Sequence, residues 1–325
     1  MTSDESALKE RLKERLLASI SGHIDAIGHG PGDIARLTRG FDFSGEAAGH
    51  ADAAPTSAPP EADEPAALAR RVNSYYDHGF FNPGVVRGVL EASDYGNLGY
   101  WNDSTKTLHQ ASERLQDELL GFIPQKTGRI LDVACGLGAS TRRLLNHYPA
   151  DNVWAINISE KQIEATRKNA PGCHAQVMNA VSLSFEEGFF DAIECIEAAF
   201  HFETRRRFLE EAYRVLKPGG RLVMTDVLFT SPERLEQFPV FPSAKNHLAT
   251  VEEYRALLEE VGFRNCMVRD DRQEVWVAHL LHFVGRAHEA FCARKLDLVH
   301  LTEALWTYYV LDALTGPCLF VSAQK

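Results

Sequence analysis

Paired cysteines and long apolar runs are both missing from this sequence. Its six cysteines are scattered without a C-x-x-C pair, so neither a disulfide framework nor a thiolate zinc site is expected. No segment reaches the roughly 18 consecutive apolar residues that a membrane-spanning helix needs. The first 20 residues begin with acidic side chains and lack the apolar stretch of a secretory signal. Together these absences predict a cytoplasmic protein in a reducing compartment, with no membrane partner.

Positive charge is also scarce. The chain has 34 lysines and arginines against 45 aspartates and glutamates, which gives a formal net charge of -11. Such a field repels phosphate backbones, so nucleic acid is not expected as a partner. The one dense basic run, Arg205–Arg207, is followed by Glu210 and Glu211 and is interpreted as a solvated helix face.

The chain divides into four regions by composition. Residues 1–42 are predicted as a helical extension, residues 43–67 as a flexible linker rich in Ala, Gly, Pro, Ser and acids, and residues 68–128 as cap helices. The apolar stripe of the first helix needs a partner, which is either the protein's own core or a second subunit, so a homo-oligomer is one expectation. Residues 129–325 form the predicted core, with substrate-lid insertions around 227–249 and 272–312.

Short β runs alternate regularly with amphipathic helices beyond Gly128. The predicted strands are RILDVA, VWAIN, HAQVM, FFDAIECI, RLVMTD, NCMVRD and CLFVSA. Alternation of this kind is typical of parallel strands joined by helical crossovers. The sequence therefore predicts an α/β fold, a doubly wound seven-stranded Rossmann-like sheet.

A glycine-containing turn follows the first strand of this core. The segment from Ile130 to Thr141 runs from a buried strand through Gly136-x-Gly138 into a helix, an arrangement that lets a nucleotide or nucleoside approach bare backbone. A dinucleotide site would need a third glycine, where Thr141 stands, and a phosphate-binding loop would need a G-K-[ST] triplet. Asp132 precedes the glycines and suits a cationic ligand, which it would attract directly or by ordering the loop.

Several motifs in the same order resemble those of class I S-adenosylmethionine-dependent methyltransferases, within the subgroup that modifies sugars, quinols, sterols and natural products. DVACGLG resembles the first cofactor motif, AINISEKQI the second-strand motif, and VMNAVSLSF the adenine-binding segment. RVLKPGGRLVMTD resembles the turn into the fifth strand. The resemblance covers roughly Tyr75 to Lys325 and implies secondary metabolism as a setting.

The resemblance implies S-adenosylmethionine as the cofactor and a set of residues that bind it. Asn157 stands where an acid commonly holds the ribose hydroxyls, although an amide can still bond two hydroxyls. Asn179 stands where an acid commonly receives the adenine amino group. Tyr100 and Trp101 resemble the aromatic pair that closes over the methionine end of the cofactor, with Gln110 on the next helix; core packing for Trp101 and a surface position for Gln110 are equally open. The full set is Tyr100, Gln110, Asp132, Ala134, Gly136, Gly138, Asn157, Ile158, Gln162, Asn179, Ala180 and Glu197.

The same resemblance implies three catalytic candidates. His201 follows the fourth strand and would act as the base for an oxygen or nitrogen acceptor, while Asp226 at the end of the fifth strand would orient it. The bland alternative is that His201 only caps a helix. Glu197 would instead stabilise positive charge if the reaction were methylation of an alkene or terpenoid carbon. A third hypothesis is a non-catalytic protein that binds the cofactor.

The acceptor is expected to be a small molecule held in an apolar pocket. Tyr76 resembles an active-site cap tyrosine, and interhelical packing is its equally open alternative. Phe200, Phe238 and Trp276 are the other predicted pocket residues. No metal is expected, because His279 and His282 have no carboxylate on their helix face to complete a metal motif. The sequence leaves the acceptor's identity open.

Overall fold

A computed structural model describes residues 64–81, 93–231, 240 and 246–325. The predicted helical extension, most of the predicted linker and Phe238 lie outside the described residues. The prediction of a homo-oligomer depended on that extension, so it stays a prediction. None of the helices in the described ranges is long and apolar enough to cross a bilayer.

Within the described residues, seven strands form one mixed sheet in the order β3-β2-β1-β4-β5-β7-β6. Strands β1 to β5 pair in parallel, whereas β7 runs antiparallel to both β5 and β6. This confirms the predicted Rossmann-like sheet. The strands are β1 Ile130–Val133, β2 Val153–Asn157, β3 His174–Val177, β4 Phe190–Ile196, β5 Leu216–Phe229, β6 Arg264–Asp270 and β7 Thr315–Gln324.

Helices cover both faces of the sheet, and most of them begin at a side-chain cap. Thr107, Ser159, Thr204 and Thr250 each accept a backbone N–H of the helix that follows them. The helices are α1 Glu64–Phe81, α2 Leu108–Leu120, α3 Ala139–Leu144, α4 Glu160–Asn169, α5 Arg205–Val215, α6 Val251–Val261, α7 Ala278–Cys292 and α8 Leu298–Leu314. Helix α1 thus begins inside the range predicted as linker.

The hydrophobic core lies in two layers, one on each side of the sheet. On one side α5 and α6 pack Phe208 and Leu258 against the strands, and on the other α2 packs Leu115 and Leu119. All four residues of β1 are buried, as expected for a strand that is covered on both faces. Because the strand order reverses between β1 and β4, the carboxyl ends of β1, β2 and β4 border a crevice.

Helix α1 lies over this crevice. Its apolar residues Leu68 and Val72 cluster with Val240, and Ile158, which follows β2, packs against the same cluster. Since these contacts join α1 to the carboxyl edge of the sheet, α1 forms a roof over the place where an α/β fold binds its ligand.

The two glycines after β1 differ in what surrounds them. Gly138 precedes α3 with φ +84°, and a Cβ there would lie 2.7 Å from the Thr166 Cα of α4. Gly136 has φ +56°, and a Cβ there would meet nothing within 4 Å. Gly138 therefore serves the close approach of α3 and α4, whereas Gly136 borders open space. The sequence predicted both glycines as cofactor-binding residues, and of the two it is Gly136 that lines the cavity.

Gly138→Ala is expected to lower the free energy of unfolding by about 2–4 kcal/mol, because it adds a clash to left-handed backbone strain. The matched variant Gly136→Ala carries the backbone strain alone, so we expect a loss of only about 1–2 kcal/mol. Urea denaturation followed by circular dichroism measures both values. Equal losses would show that helix packing does not require Gly138.

Candidate active site

A cavity opens at the carboxyl ends of β1, β2 and β4, beneath α1. It brings together most of the residues that the sequence singled out: Tyr76, Asp132, Ala134, Gly136, Asn157, Ile158, Gln162, Asn179, Ala180, Glu197 and His201. Other lining residues were missed by sequence reasoning, among them Asn73, Phe80, Tyr95, Gly96, Asn97, Met178 and Phe202. Tyr95–Asn97 lie a few residues before Tyr100 and Trp101, the aromatic pair noted in the sequence. That proximity was the only sequence signal for this part of the cavity wall.

Asp132 anchors the end of the glycine loop by hydrogen bonds. Its Oδ2 accepts hydrogen bonds from the Ser140 hydroxyl at 2.8 Å and from the Thr141 hydroxyl at 2.6 Å. The side chain is 1% exposed, and burial raises its pKa to about 6. These bonds fix the start of α3, so Asp132 orders the loop, which is one of the two roles considered for it. Gly136, which borders open space, belongs to the same loop.

Two amides meet at the end of β2. The Asn157 Nδ2 donates to the Gln162 Oε1 at 3.1 Å, and the Ser159 N–H donates to the Asn157 Oδ1 at 3.0 Å. Asp77 of α1 accepts from the Ser159 hydroxyl at 2.7 Å and from the Gln162 Nε2 at 2.8 Å. Asn157 and Gln162 are both buried, so their orientation is set by this network rather than by solvent.

Glu197 stands at the end of β4 in a strained backbone conformation, with φ +47°. Its Oε2 accepts from the Leu98 N–H at 2.9 Å. Its Oε1 is shielded from solvent and has no hydrogen-bond partner among the described residues. Burial raises the pKa of Glu197 to about 8. An orphaned carboxylate oxygen in a cavity is suited to a cationic ligand, which would restore the ionised form.

His201 is held by one hydrogen bond on each ring nitrogen. Its Nδ1 lies 2.7 Å from the Val240 carbonyl oxygen, and its Nε2 lies 2.8 Å from the Tyr76 hydroxyl. Because a carbonyl only accepts, Nδ1 carries the proton and Nε2 accepts from Tyr76. Burial lowers the pKa of His201 from its ordinary 6.5 to about 4, and burial also raises the pKa of Tyr76. The imidazole is therefore a neutral acceptor near pH 7.

Asp226 does not orient His201, which corrects the predicted pair. The Asp226 Oδ2 accepts from the Arg205 Nε at 2.7 Å and from the Tyr254 hydroxyl at 2.9 Å. Arg205 is 4% exposed, so the interpretation of Arg205–Arg207 as a solvated face is wrong at its first residue. The physical reason is that Arg205, the first residue of α5, reaches across to β5, where it donates to the Asp226 carboxylate and to the Val227 carbonyl. The Val240 carbonyl takes the orienting role instead.

Two aromatic predictions also lie elsewhere in the structure. Tyr100 packs edge-to-face on Phe320 of β7, with ring centroids 5.6 Å apart. Trp276 is buried against the opposite layer of the core and donates its indole N–H to Asp312 at 2.8 Å. Neither lines the cavity, because both side chains fill the helix layer next to β7.

Gln110 and Phe200 are outside the cavity as well. Gln110 is exposed, and its Oε1 accepts the Lys106 N–H at 2.9 Å, so it closes the first turn of α2. Phe200 packs on Phe229 with a centroid distance of 5.7 Å, and Phe202 lines the cavity in its place. The short 3₁₀ turn Ala199–His201 separates these neighbouring side chains in a way that the sequence pattern does not specify.

His279 reaches the site indirectly. Its Nδ1 lies 3.0 Å from the Leu98 carbonyl oxygen and its Nε2 lies 3.0 Å from the Tyr308 hydroxyl. Leu98 in turn donates its N–H to Glu197. This histidine therefore holds the segment that positions Glu197, and both of its ring nitrogens are used in hydrogen bonds.

Asp226→Asn is expected to lower the free energy of unfolding by about 3–5 kcal/mol, because it leaves the buried charge of Arg205 without its carboxylate. Urea denaturation measures the loss, and Arg206→Met removes an exposed cation on the same helix as the matched control. If Asp226→Asn were as stable as the unchanged protein while turnover collapsed, Asp226 would have a catalytic role after all.

The fold and the site together define a nucleoside-binding α/β enzyme that takes a cationic ligand. A methyltransferase domain family matches residues 131–224. The 27-O-demethylrifamycin SV methyltransferase of Amycolatopsis mediterranei is 33% identical over 207 residues, which are 59% of this chain and 76% of that protein. The O-methyltransferase resE of Aspergillus sclerotiorum is 33% identical over 196 residues, 55% of this chain and 72% of that protein.

A solved structure agrees on the fold. The geranyl diphosphate C-methyltransferase of Streptomyces coelicolor A3(2) superposes with a TM-score of 0.56 at 15% identity, covering 82% of this chain and 99% of that one. The chain belongs to the class I S-adenosylmethionine-dependent methyltransferases that act on small molecules. It is an enzyme, and S-adenosylmethionine is its cofactor.

The cavity fits this cofactor on two observations. The space beside Gly136 admits a ligand where any side chain would intrude. The orphaned oxygen of Glu197 offers a partner to positive charge, and the buried Asp132 adds to the same field.

Proposed function

We propose that the enzyme methylates a hydroxyl group of a neutral, largely apolar small molecule and that His201 is the base. The observation that carries this proposal is the unprotonated Nε2 of His201 in the wall of the cavity, fixed by the carbonyl bond on Nδ1. When bound, S-adenosylmethionine supplies an electrophilic methyl group on a sulfonium, which passes to the acceptor by in-line displacement.

The chain's own residues would bind and orient the cofactor. We assign the Asn157 amide to the ribose hydroxyls and Asn179 with Ala180 to the adenine side of the cavity. Glu197 would stabilise the positive end, since its Oε1 lacks a partner among the described residues and regains its charge beside a cation. Because α1 covers the cavity, these interactions would act in a site with little water.

His201 would take the acceptor's proton during transfer. A pKa of about 4 makes His201 a weak base, and a weak base is sufficient for this reaction. The hydroxyl proton becomes strongly acidic as the new carbon–oxygen bond forms, so the proton leaves to a weak base at that point. The acceptor hydroxyl must replace the Tyr76 hydroxyl on Nε2, and Tyr76 is close enough to remain as the roof of the site.

The charges of the cavity support a neutral acceptor. Its described lining contains the carboxylates of Asp94, Asp132, Glu197 and Glu203, and no lysine or arginine. A phosphate or diphosphate would be repelled by this field. The walls below α1 are apolar at Leu68, Val72 and Phe80. The similarity to O-methyltransferases, one of them named for a rifamycin, supports an oxygen acceptor and a natural product.

Carbon methylation is the second candidate, and the strained Glu197 favours it. A carboxylate with a free oxygen at the end of β4 would stabilise a carbocation formed when an alkene carbon is methylated. The fold is shared with a geranyl diphosphate C-methyltransferase, but the described cavity lacks cations for a diphosphate.

Transfer of a labelled methyl group across a metabolite panel tests the proposal. The panel pairs neutral phenols and polyketide alcohols with geranyl diphosphate, and mass spectrometry locates the new methyl. We expect label on the oxygen of a neutral acceptor. Label on carbon, with geranyl diphosphate preferred, would contradict the proposal and favour the second candidate.

His201→Gln is expected to reduce turnover by about 10²–10⁴, the usual effect of losing a positioned general base, with little change in cofactor affinity. At saturating cofactor, the turnover of the unchanged enzyme should not fall through protonation of His201 between pH 8 and 5, because His201 gains its proton only near pH 4. Cofactor affinity is the quantity expected to change in this range, because burial raises the pKa of Glu197 to about 8 and that of Asp132 to about 6.

Stability should follow a different course over the same range. The folded pKa of His201 lies below its ordinary 6.5, so its contribution is complete above 6.5 and is lost as pH falls toward 4. Steady-state rates and denaturation at each pH separate the two effects. Full turnover by His201→Gln would remove the proton-transfer role.

A further inference from the structure

Helix α1 carries an acidic side chain that the proposed reaction leaves unused. Asn73 donates to the Ile158 carbonyl at 3.0 Å and so helps to hold α1 over the cavity. Tyr76 forms a hydrogen bond to His201, the proposed base. Asp77, one residue further along, reaches instead to the start of α4. It lies 82 residues from Ser159 in the chain, and no sequence motif links the two.

The hydrogen bonds of Asp77 set the orientation of two amides in turn. A carboxylate only accepts, so Gln162 must present its NH₂ group to Asp77. The Gln162 Nε2 lies 2.8 Å from the Asp77 Oδ1. The Gln162 Oε1 is thereby turned toward Asn157, whose NH₂ group it accepts at 3.1 Å. The Asn157 Oδ1 is left facing the Ser159 N–H. Reversing either amide would set donor against donor at one of these contacts.

Asn157 retains capacity for a ligand in this orientation. Its NH₂ group has a second hydrogen, and its Oδ1 has a second lone pair. Two vicinal hydroxyls, each of which donates and accepts, match that pair. Methyltransferases of this kind commonly carry an acidic residue at the end of β2, where this chain has the neutral Asn157. The Asp77 carboxylate of α1 is connected to Asn157 through two hydrogen bonds, by way of Gln162.

We propose that Asp77 is a positioning residue for the ribose of the cofactor. When α1 docks, the Asp77 carboxylate accepts a hydrogen bond from Gln162, and Gln162 in turn orients Asn157 for the two ribose hydroxyls. This chain of contacts, Asp77–Gln162–Asn157, is the relay. Roof closure and ribose recognition are coupled by this relay, so each strengthens the other. The inference rests on the cofactor placement in the proposed function, and it is independent of the acceptor.

Calorimetric titration of the full chain with two ligands tests the relay. One ligand is S-adenosylhomocysteine, and the other is its analogue whose ribose lacks both hydroxyls. Asp77→Asn keeps the shape of the side chain but removes its charge and lets it donate. We expect it to weaken binding of S-adenosylhomocysteine by about tenfold and binding of the analogue by less than about twofold.

Two further variants make the result specific. Gln162→Leu cuts the relay one step later, so it should show the same selective loss, which guards against a folding defect in one variant. Asn73→Leu removes the α1 contact to the Ile158 carbonyl and reaches the relay only by loosening α1, so it should weaken both ligands and give a smaller ribose-selective loss than Asp77→Asn. Circular dichroism checks that each variant is folded.

Contradicting outcomes point to different errors. If Asp77→Asn weakens both ligands equally, Asp77 only anchors α1, and if it weakens neither, the relay has no effect; each result overturns the inference but keeps the cofactor placement. If the unchanged protein binds both ligands with equal affinity, the ribose does not lie at Asn157, which overturns the placement and the relay together.

Discussion

The docking of α1 on the carboxyl edge of the sheet is the interaction on which the active site depends. The sheet alone provides a crevice with a glycine loop, two buried amides and a strained glutamate. With α1 in place the crevice becomes a cavity, and Tyr76 and Asp77 form hydrogen bonds to His201 and Gln162. Among the described residues, these polar contacts come from one helix, so α1 by itself covers this side of the crevice.

Buried carboxylates give this cavity its chemistry. Asp132 fixes the loop, Glu197 lines the cavity and has one buried oxygen unpaired among the described residues, and Asp226 is neutralised by Arg205. The first two hold pKa values above their ordinary range because burial disfavours their charge. A cation that enters the cavity relieves that penalty, whereas an anion adds to it. The same field suits the sulfonium of the cofactor and supports the proposal of a neutral acceptor.

The sequence predicted what local patterns encode. The seven strands and the turn at Gly136 follow from hydrophobic periodicity and from glycine's conformational freedom, and the structure confirms the fold. The pairing of side chains was harder to predict. His201 follows β4 and Asp226 lies near the end of the neighbouring β5, yet each is bonded to another partner, because Arg205 enters from α5. Tyr76 lies 125 residues from His201, so no local pattern joins them.

The most direct measurement of the central claim is a crystal structure of the protein with S-adenosylhomocysteine bound. The account predicts the ribose hydroxyls within about 3 Å of the Asn157 side chain, with α1 docked above and Asp77 still bonded to Gln162. A cofactor bound with its ribose away from Asn157, or an α1 displaced from the carboxyl edge when the site is filled, would contradict it.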